Sequence, residues 1–427
     1  MPIPAGNAMV ELSAADRKSE RGAPMTQSAL GDPFSPAARR DAYLRYARLR
    51  ADQPVHCLRL ASGRRRWLIT RYDDAERALR DPRLIKAGPF DDLPPEIRPL
   101  TKHMLNCDPP DHTRLRGLVR KAFSSRLVEG LRPRIQRIAD ELLDAVAPSG
   151  RMDLIDDYAF PLPIMVICEL LGVPASDRAQ FRIWSNAVVS GEFITAGEPV
   201  EAWRRTAFAD FSGYLHALLA RKRADPRDDL ISELVGVHEE GDALSEEELL
   251  STVLLLIVAG HETTVNFIGN SMLALFAHPD QLHMLMRDPG LIGPAMEELL
   301  RYSGPLETAT LRYASADIDI NGVTIPQGDQ VVVVLASANR DDTRFACAGQ
   351  LDITRVENRH LAFGKGLHFC LGAPLARIEG QIAISTLLRR MPTVRPAVPL
   401  DQLQWRPSII MRGLQSFPVL FTGDQWP

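Results

Sequence analysis

The sequence predicts a mainly α-helical single domain with small β-sheets, and three observations carry that expectation. A helical pattern runs almost unbroken from residue 111 to about 277. Two β-branched runs, 318–325 and 331–335, follow it, bounded by Asn321-Gly322 and Gln327-Gly328. The 427 residues, 45% hydrophobic and 24% charged, supply a large core, and no Pro/Ser/Gly-rich linker divides them after residue 35.

Residues 1–28 are polar and small, hold three acids and three bases, and lack the apolar centre of a secretory signal. They read as a disordered tail ahead of a domain spanning 29–427, and Met25 within them is a second candidate start. Tyr43, Tyr46, Ala47 and Leu49 then recur at helical spacing. Residues 55–60 and 67–71 alternate as two strands joined around Gly63. Pro133, Pro148, Pro161, Pro174, Pro199 and Pro226 break the helical stretch into separate helices. Ser245 with Glu248 is a capping-box signature, and the helix it opens could run to Ala277, about 45 Å at 1.5 Å per residue. A short helix opened by Pro294 carries Glu298 and Arg301; residues 338–369 are irregular, and a last helix covers about 371–390.

Composition excludes several classes. A net charge of −4 without a lysine-rich run gives no footprint for nucleic acid. The most apolar stretch, 253–259, is far shorter than the roughly 18 residues needed to span a bilayer, so no membrane anchor and a cytoplasmic location are expected. Cys57, Cys107, Cys168, Cys347 and Cys370 form no CxxC pair, and an odd count without a signal argues for reduced thiols.

Cys370 differs from the other four because a glycine-rich loop, Phe363-Gly364-Lys365-Gly366-Leu367-His368-Phe369, delivers it to a helix start marked by Pro374. Backbone N–H groups and the positive end of the helix would favour a thiolate there. A lone thiolate cannot close a zinc or iron–sulfur site, whereas haem supplies four nitrogens and needs one axial ligand. An ordinary buried cysteine is the alternative reading of the same residue. In the long helix, Gly260-His261-Glu262-Thr263-Thr264 interrupts an apolar rod; buried polar groups need a reason, and a helix bend from threonine back-bonding is one. Glu298 and Arg301, three apart, can meet on one helix face, as many surface pairs do. His112 and Arg116, four apart, suit a carboxylate, while Arg114, Arg120 and Lys121 read as a solvated basic face or a surface for an acidic electron donor.

Together these segments resemble the cytochrome P450 superfamily. FGKGLHFCLG matches the pattern FGxGxHxCxG at every specified position, and AGHETT matches (A/G)Gx(D/E)T(T/S). Glu298 and Arg301 fit ExxR, with Arg355 at the position of its third partner, and residues 108–116 are similar to DPPxHxRxR. The resemblance runs in order from Asp108 to Gly372. It implies a triangular, helix-rich domain with haem b (iron protoporphyrin IX) between a long central helix and the cysteine loop, and dioxygen as cosubstrate. By resemblance Cys370 is the axial ligand, His112, Arg116, Arg312 and His368 reach the haem propionates, and Phe363 limits water at the sulfur. Ala259, Gly260 and Gly372 border the haem, Glu262 and Thr263 act on oxygen and its protons, and Glu298, Arg301 and Arg355 clamp the cysteine loop internally.

The implied activity is insertion of one oxygen atom into a hydrophobic small molecule by hydroxylation or epoxidation. Electrons would come from ferredoxin and ferredoxin reductase, to a monomer. Residues 166–174 and 411–414 resemble bacterial enzymes acting on macrolides, other polyketides, steroids or terpenoids. Peroxide-driven or phenol-coupling chemistry is the alternative, and a non-catalytic haem sensor a third. Candidate pocket residues are 84–104, 180–200, Leu255, Val258, Ala259, Thr308, Ile409 and Ile410, whose apolar character implies a hydrophobic substrate.

Overall fold

A computed structural model describes residues 34, 38–60, 62–88, 101–177, 180–181, 183–184, 202–236, 238–239 and 242–422. The tail 1–28, Pro199 and most of 180–200 lie outside the described residues. Helix α1 (Ala42–Asp52) leads into the antiparallel pair β1 (Val55–Arg59) and β2 (Arg65–Ile69), then α2 (Tyr72–Arg80) and the short β3 (Leu84–Ile85). Acids Asp73 and Asp74 in the first turn of α2 and Arg77 and Arg80 in its last complement the helix dipole.

The central stretch contains α3 (Asp111–Ala122), α4 (Ser125–Gly130), α5 (Arg132–Val146), α6 (Pro161–Leu170), α7 (Ala202–Ala224), α8 (Leu230–Gly236) and α9 (Glu246–Ala277). It is less uniformly helical than its sequence pattern. Strand β4 (Arg151–Asp153) and a π-helical turn, Leu154–Ala159, sit between α5 and α6, and a hairpin β5 (His238–Glu239) and β6 (Asp242–Ala243) precedes α9. β4 exists because β12 (Pro418–Leu420), from the far end of the chain, pairs with it, a partner no local pattern reveals. Pro133 and Pro161 lie in the first turns of α5 and α6, where the missing N–H costs nothing.

The capping box of α9 is formed: the Ser245 N–H donates to Glu248 Oε2 (2.8 Å) and the Glu248 N–H to Ser245 Oγ (3.2 Å). By length and composition α9 could cross a bilayer, contrary to the sequence expectation, because its apolar residues continue beyond 253–259 in both directions. However, 72% of its most apolar window is buried against the rest of the protein, so it is a core helix. It packs on α6, α11 (Ile292–Ser303) and α13 (Ala373–Arg390), with α10 (Pro279–Arg287) between α9 and α11 in sequence.

The second half adds β7 (Arg312–Ala314), β8 (Ile318–Ile320), β9 (Val323–Ile325), β10 (Gln330–Val333) and the short α12 (Leu335–Ala338). Leu335, expected in a strand, instead begins α12: β10 stops at Val333, and the N–H of Ala338 donates to Val334 O. Asn321 and Gly322 both adopt positive φ (55° and 78°), the turn that closes the β8–β9 hairpin. Strand order in the main sheet is β1-β2-β10-β7-β3, with β10 parallel to β2. After α13, β11 (Arg395–Pro396) completes a second sheet with β12 and β4.

Candidate active site

The cysteine loop is shaped by its glycines. Gly364 (φ 70°) and Gly366 (φ 73°) take left-handed conformations, and a Cβ on Gly366 would lie 2.9 Å from Leu79 O of α2. The turn closes with the Cys370 N–H donating to Phe363 O (2.9 Å), and α13 begins three residues later. The thiol of Cys370 opens into a cavity lined mostly by apolar side chains. Leu255, Leu256, Ala259, Gly260 and Thr263 of α9 line the same cavity, with Leu306, Ala309, Phe363, Leu375, Ile410 and Met411. One chamber therefore joins the sulfur to the polar interruption of the long helix.

Backbone amides of Gly372 and Ala373 and the cations Arg116 and Arg377 lower the Cys370 pKa, as the helix-start argument requires, but desolvation is larger and leaves the free thiol above its ordinary value. The expected depression is thus outweighed by burial. A cation bound to the sulfur would add the opposite charge that reverses this balance.

On α9, Thr263 Oγ1–H donates to Ala259 O (2.9 Å) and Thr264 Oγ1–H to Glu379 Oε2 (3.1 Å). Thr263 back-bonds as a helix-bending threonine would, and also lines the cavity. Glu262 does neither: its buried carboxyl is not in the cavity wall, and desolvation pushes it up to about 7, with Arg406 pulling it down. Glu379 is fully buried on α13, and desolvation raises it to about 8, so it is largely protonated at neutral pH.

A second, basic cavity adjoins the first and shares Arg116, Arg312 and His368 with it. Its wall also holds His112 and Arg120, with Asp81 and Asp108. His112 is buried to 1% exposure, with both ring nitrogens lacking a hydrogen-bond partner among the described residues, and its ring lies 4.4 Å from that of His368. Arg312 is 3% exposed, and Arg116 Nη2–H donates to Phe369 O (2.6 Å). The Asp108 carboxylate is already taken by the backbone N–H groups of Lys86 and Ala87. Orphaned ring nitrogens and buried guanidinium groups need anionic acceptors, which the carboxylates of a porphyrin supply. The residues present fit a haem between Cys370 and α9.

Glu298, Arg301 and Arg355 meet. Arg301 Nε–H and Nη2–H donate to the two Glu298 oxygens (2.7 Å each), Arg355 Nε–H donates to Glu298 Oε2 (3.1 Å), and the Glu298 and Arg301 side chains are 0% exposed. Of the sequence-chosen pocket residues, Met104 from the stretch 84–104, Leu255, Ala259 and Ile410 line the cavity and Val258, Thr308 and Ile409 do not, while residues 89–100 lie outside the described residues. Val258 packs against the main core, Ile409 against a smaller cluster with α1, and Thr308 Oγ1–H donates to Ile409 O (3.1 Å). Arg114 is not a free surface cation: it forms an ion pair with Glu248 at the start of α9. Leu306 and Met411, which a β-bridge joins at the cavity wall, were not among the expected pocket residues; within the expected stretch 84–104, the buried Lys86 donates from Nζ to Thr310 O (2.9 Å) and Leu311 O (2.8 Å).

A cytochrome P450 profile matches residues 292–401. The chain is 48% identical over 401 residues to cytochrome P450 107B1 of Saccharopolyspora erythraea, covering 90% of this chain and 96% of that one. It is 47% identical to the cytochrome P450 monooxygenase PikC of Streptomyces venezuelae, covering 92% of each. The solved structure of PksS, the cytochrome P450 of the bacillaene polyketide synthase of Bacillus subtilis, superposes with a TM-score of 0.85 at 41% identity, covering 92% of this chain and 99% of that one. The chain belongs to the cytochrome P450 family. It is a monooxygenase that uses haem with cysteine-thiolate ligation and takes dioxygen as cosubstrate.

Proposed function

We propose that this monooxygenase hydroxylates or epoxidises a hydrophobic secondary metabolite of the polyketide or macrolide kind, with steroids and terpenoids as further candidates. The observation that carries the reading is the single apolar chamber bordered by both Cys370 and Thr263, with Leu255, Leu306, Ile410 and Met411 in its wall. The PksS relative, named for a polyketide synthase, supports the substrate class.

In this reading Cys370 provides the thiolate, while His112, Arg116, Arg312 and His368 bind the porphyrin carboxylates. Bound haem supplies the activation of dioxygen by electron donation from the sulfur. Phe363, with its ring under the Arg377 guanidinium (4.5 Å), shields the sulfur from water. Ala259, Gly260 and Gly372 shape the chamber floor and roof. Thr263 presents a hydroxyl to the chamber, and Glu262, half-protonated near neutral pH, replenishes its proton from behind the cavity wall. Glu298, Arg301 and Arg355 hold the loop that leads to Cys370. The domain of residues 29–427 works as a cytoplasmic monomer, and ferredoxin with its reductase delivers the electrons. The donor docks beside the cysteine loop, where Leu367 and Phe369 are exposed and Leu367 shares the wall of the basic cavity with Arg120.

Two measurements test this. Polyketide, macrolide, steroid and terpenoid libraries are screened for shifts in the haem absorption spectrum and for oxygenated product; shifts and products confined to hydrophilic compounds would overturn the substrate class. Thr263→Ala is expected to keep haem but lower product per electron pair at least about tenfold, the balance appearing as peroxide. Unchanged coupling in that variant removes Thr263 from proton handling.

A further inference from the structure

Lys86 is buried where two segments of the basic cavity meet. Strand β3 pairs with β7 in the register Leu84 with Ala314 and Ile85 with Tyr313, and one step further sets Lys86 opposite Arg312, which lines both cavities. The backbone N–H of Lys86 donates to both oxygens of the Asp108 carboxylate (3.0 and 2.8 Å), and Asp108 O accepts the N–H of His112 (3.0 Å) at the start of α3. Its side chain reaches the second segment: Nζ donates to Thr310 O (2.9 Å), Thr310 Oγ1 and Leu311 O (2.8 Å), immediately before Arg312. The main chain and side chain of one residue therefore join the segment that carries His112 and Arg116 to the segment that carries Arg312.

We propose that Lys86 is a positioning residue of the haem-carboxylate site, fixing Arg312 relative to His112 and Arg116 and adding its own positive charge to theirs. This inference rests on the reading that those side chains bind the porphyrin carboxylates. An ammonium has three N–H donors, and all three are engaged, so Lys86 acts through its neighbours rather than by touching a ligand. Its acceptors are two carbonyls and a hydroxyl, which satisfy the donors but leave the charge uncompensated. Burial and the Arg312 guanidinium push the Lys86 ammonium well below its ordinary value, with Asp108 opposing. The same Asp108 opposes the burial of Arg312, so one carboxylate, already held by backbone N–H groups, serves two buried cations. A buried charge without a counter-ion is costly. Two carboxylates brought in by the porphyrin would restore the balance, and a mere brace between strands has no need of them.

The test measures release of two cofactors from the loaded enzyme to a haem-scavenging protein: haem itself, and haem whose two carboxylates are methyl esters. In the parent the ester is expected to leave at least about tenfold faster, because the cations lose their charged acceptors. In Lys86→Met, which keeps the length of the stem and removes the ammonium, release of haem quickens at least about tenfold while release of the ester changes little, so the two rates converge. A merely structural loss would quicken both by the same factor, and that result, or unchanged release of haem, overturns the inference. Should Lys86→Met not accumulate as folded protein, Thr310→Val decides, since it keeps shape and charge but removes one acceptor. The ratio of the two rates is then expected to fall about threefold, and an unchanged ratio overturns the inference. Equal release of both cofactors from the parent overturns the assignment of His112, Arg116 and Arg312 to the carboxylates, and the inference with it.

Discussion

The haem-loaded Cys370→Ser variant loses the sulfur-ligation signature of its reduced carbon-monoxide adduct, and product formation falls by roughly a thousandfold or more, about 4 kcal/mol of barrier. Serine is nearly isosteric, and the bond from the residue-370 N–H to Phe363 O is a backbone bond, so the loop keeps its shape. What changes is the anion. The amides of Gly372 and Ala373, with Arg116 and Arg377, stabilise negative charge at this atom, but desolvation already outweighs them for a thiol. An alcohol, far less acidic, stays neutral in the same place and donates little electron density to the porphyrin. Haem-free Cys370→Ser is expected to unfold within about 1 kcal/mol of the haem-free parent, as a substitution that leaves packing intact should. A retained sulfur signature, or turnover within tenfold of the parent, would remove Cys370 from the ligand position.

What the sequence made legible was local. The Ser245–Glu248 cap, the Asn321-Gly322 turn and the glycines around Cys370 are each written within ten residues, and the geometry follows from their chemistry. Contacts between distant segments were not legible. β4 needs β12, some 265 positions away; the cavity wall needs the bridge between Leu306 and Met411; Arg114 needs Glu248. For the same reason the cavity position expected for Thr308 and Ile409 does not hold: Thr308 donates its hydroxyl to the Ile409 carbonyl, and Ile409 packs toward α1. Glu262 is the mixed case: the motif around it was plain, but the packing of α9 that buries its carboxyl away from the cavity wall was not.

The Glu298–Arg301 pair could, on spacing alone, have been a surface ion pair worth at most about 1 kcal/mol. Its surroundings instead predict that Arg301→Ala costs about 3–5 kcal/mol, the range for breaking a buried pair by removing one partner. All five N–H donors of the guanidinium are engaged: two on Glu298, two on the carbonyls of Asn339 (2.9 Å) and Ala348 (2.8 Å), and one on that of Gln350 (3.0 Å). Glu298 in turn accepts from the Asp352 N–H (2.9 Å), Arg355 and Asn358 Nδ2–H (3.0 Å). The network therefore pins the irregular segment 339–358 to α11, and Asn339 Oδ1 accepts the N–H of Leu361 (2.7 Å) just before the cysteine loop. A lysine has three donors on one nitrogen and cannot reach this array, so Arg301→Lys is expected to unfold at clearly lower denaturant and to release haem faster than the parent. Replacing both partners by leucine, which often rescues a buried ion pair, is expected to fail here, because three carbonyls, the Asp352 amide, Arg355 Nε–H and Asn358 Nδ2–H would lose the partners they have now. Unfolding midpoints and haem-release rates of the three variants decide the matter. If Arg301→Lys matched the parent in both, or the double-leucine variant exceeded it in stability, the pair would be a dispensable contact rather than the anchor of the segment leading to Cys370.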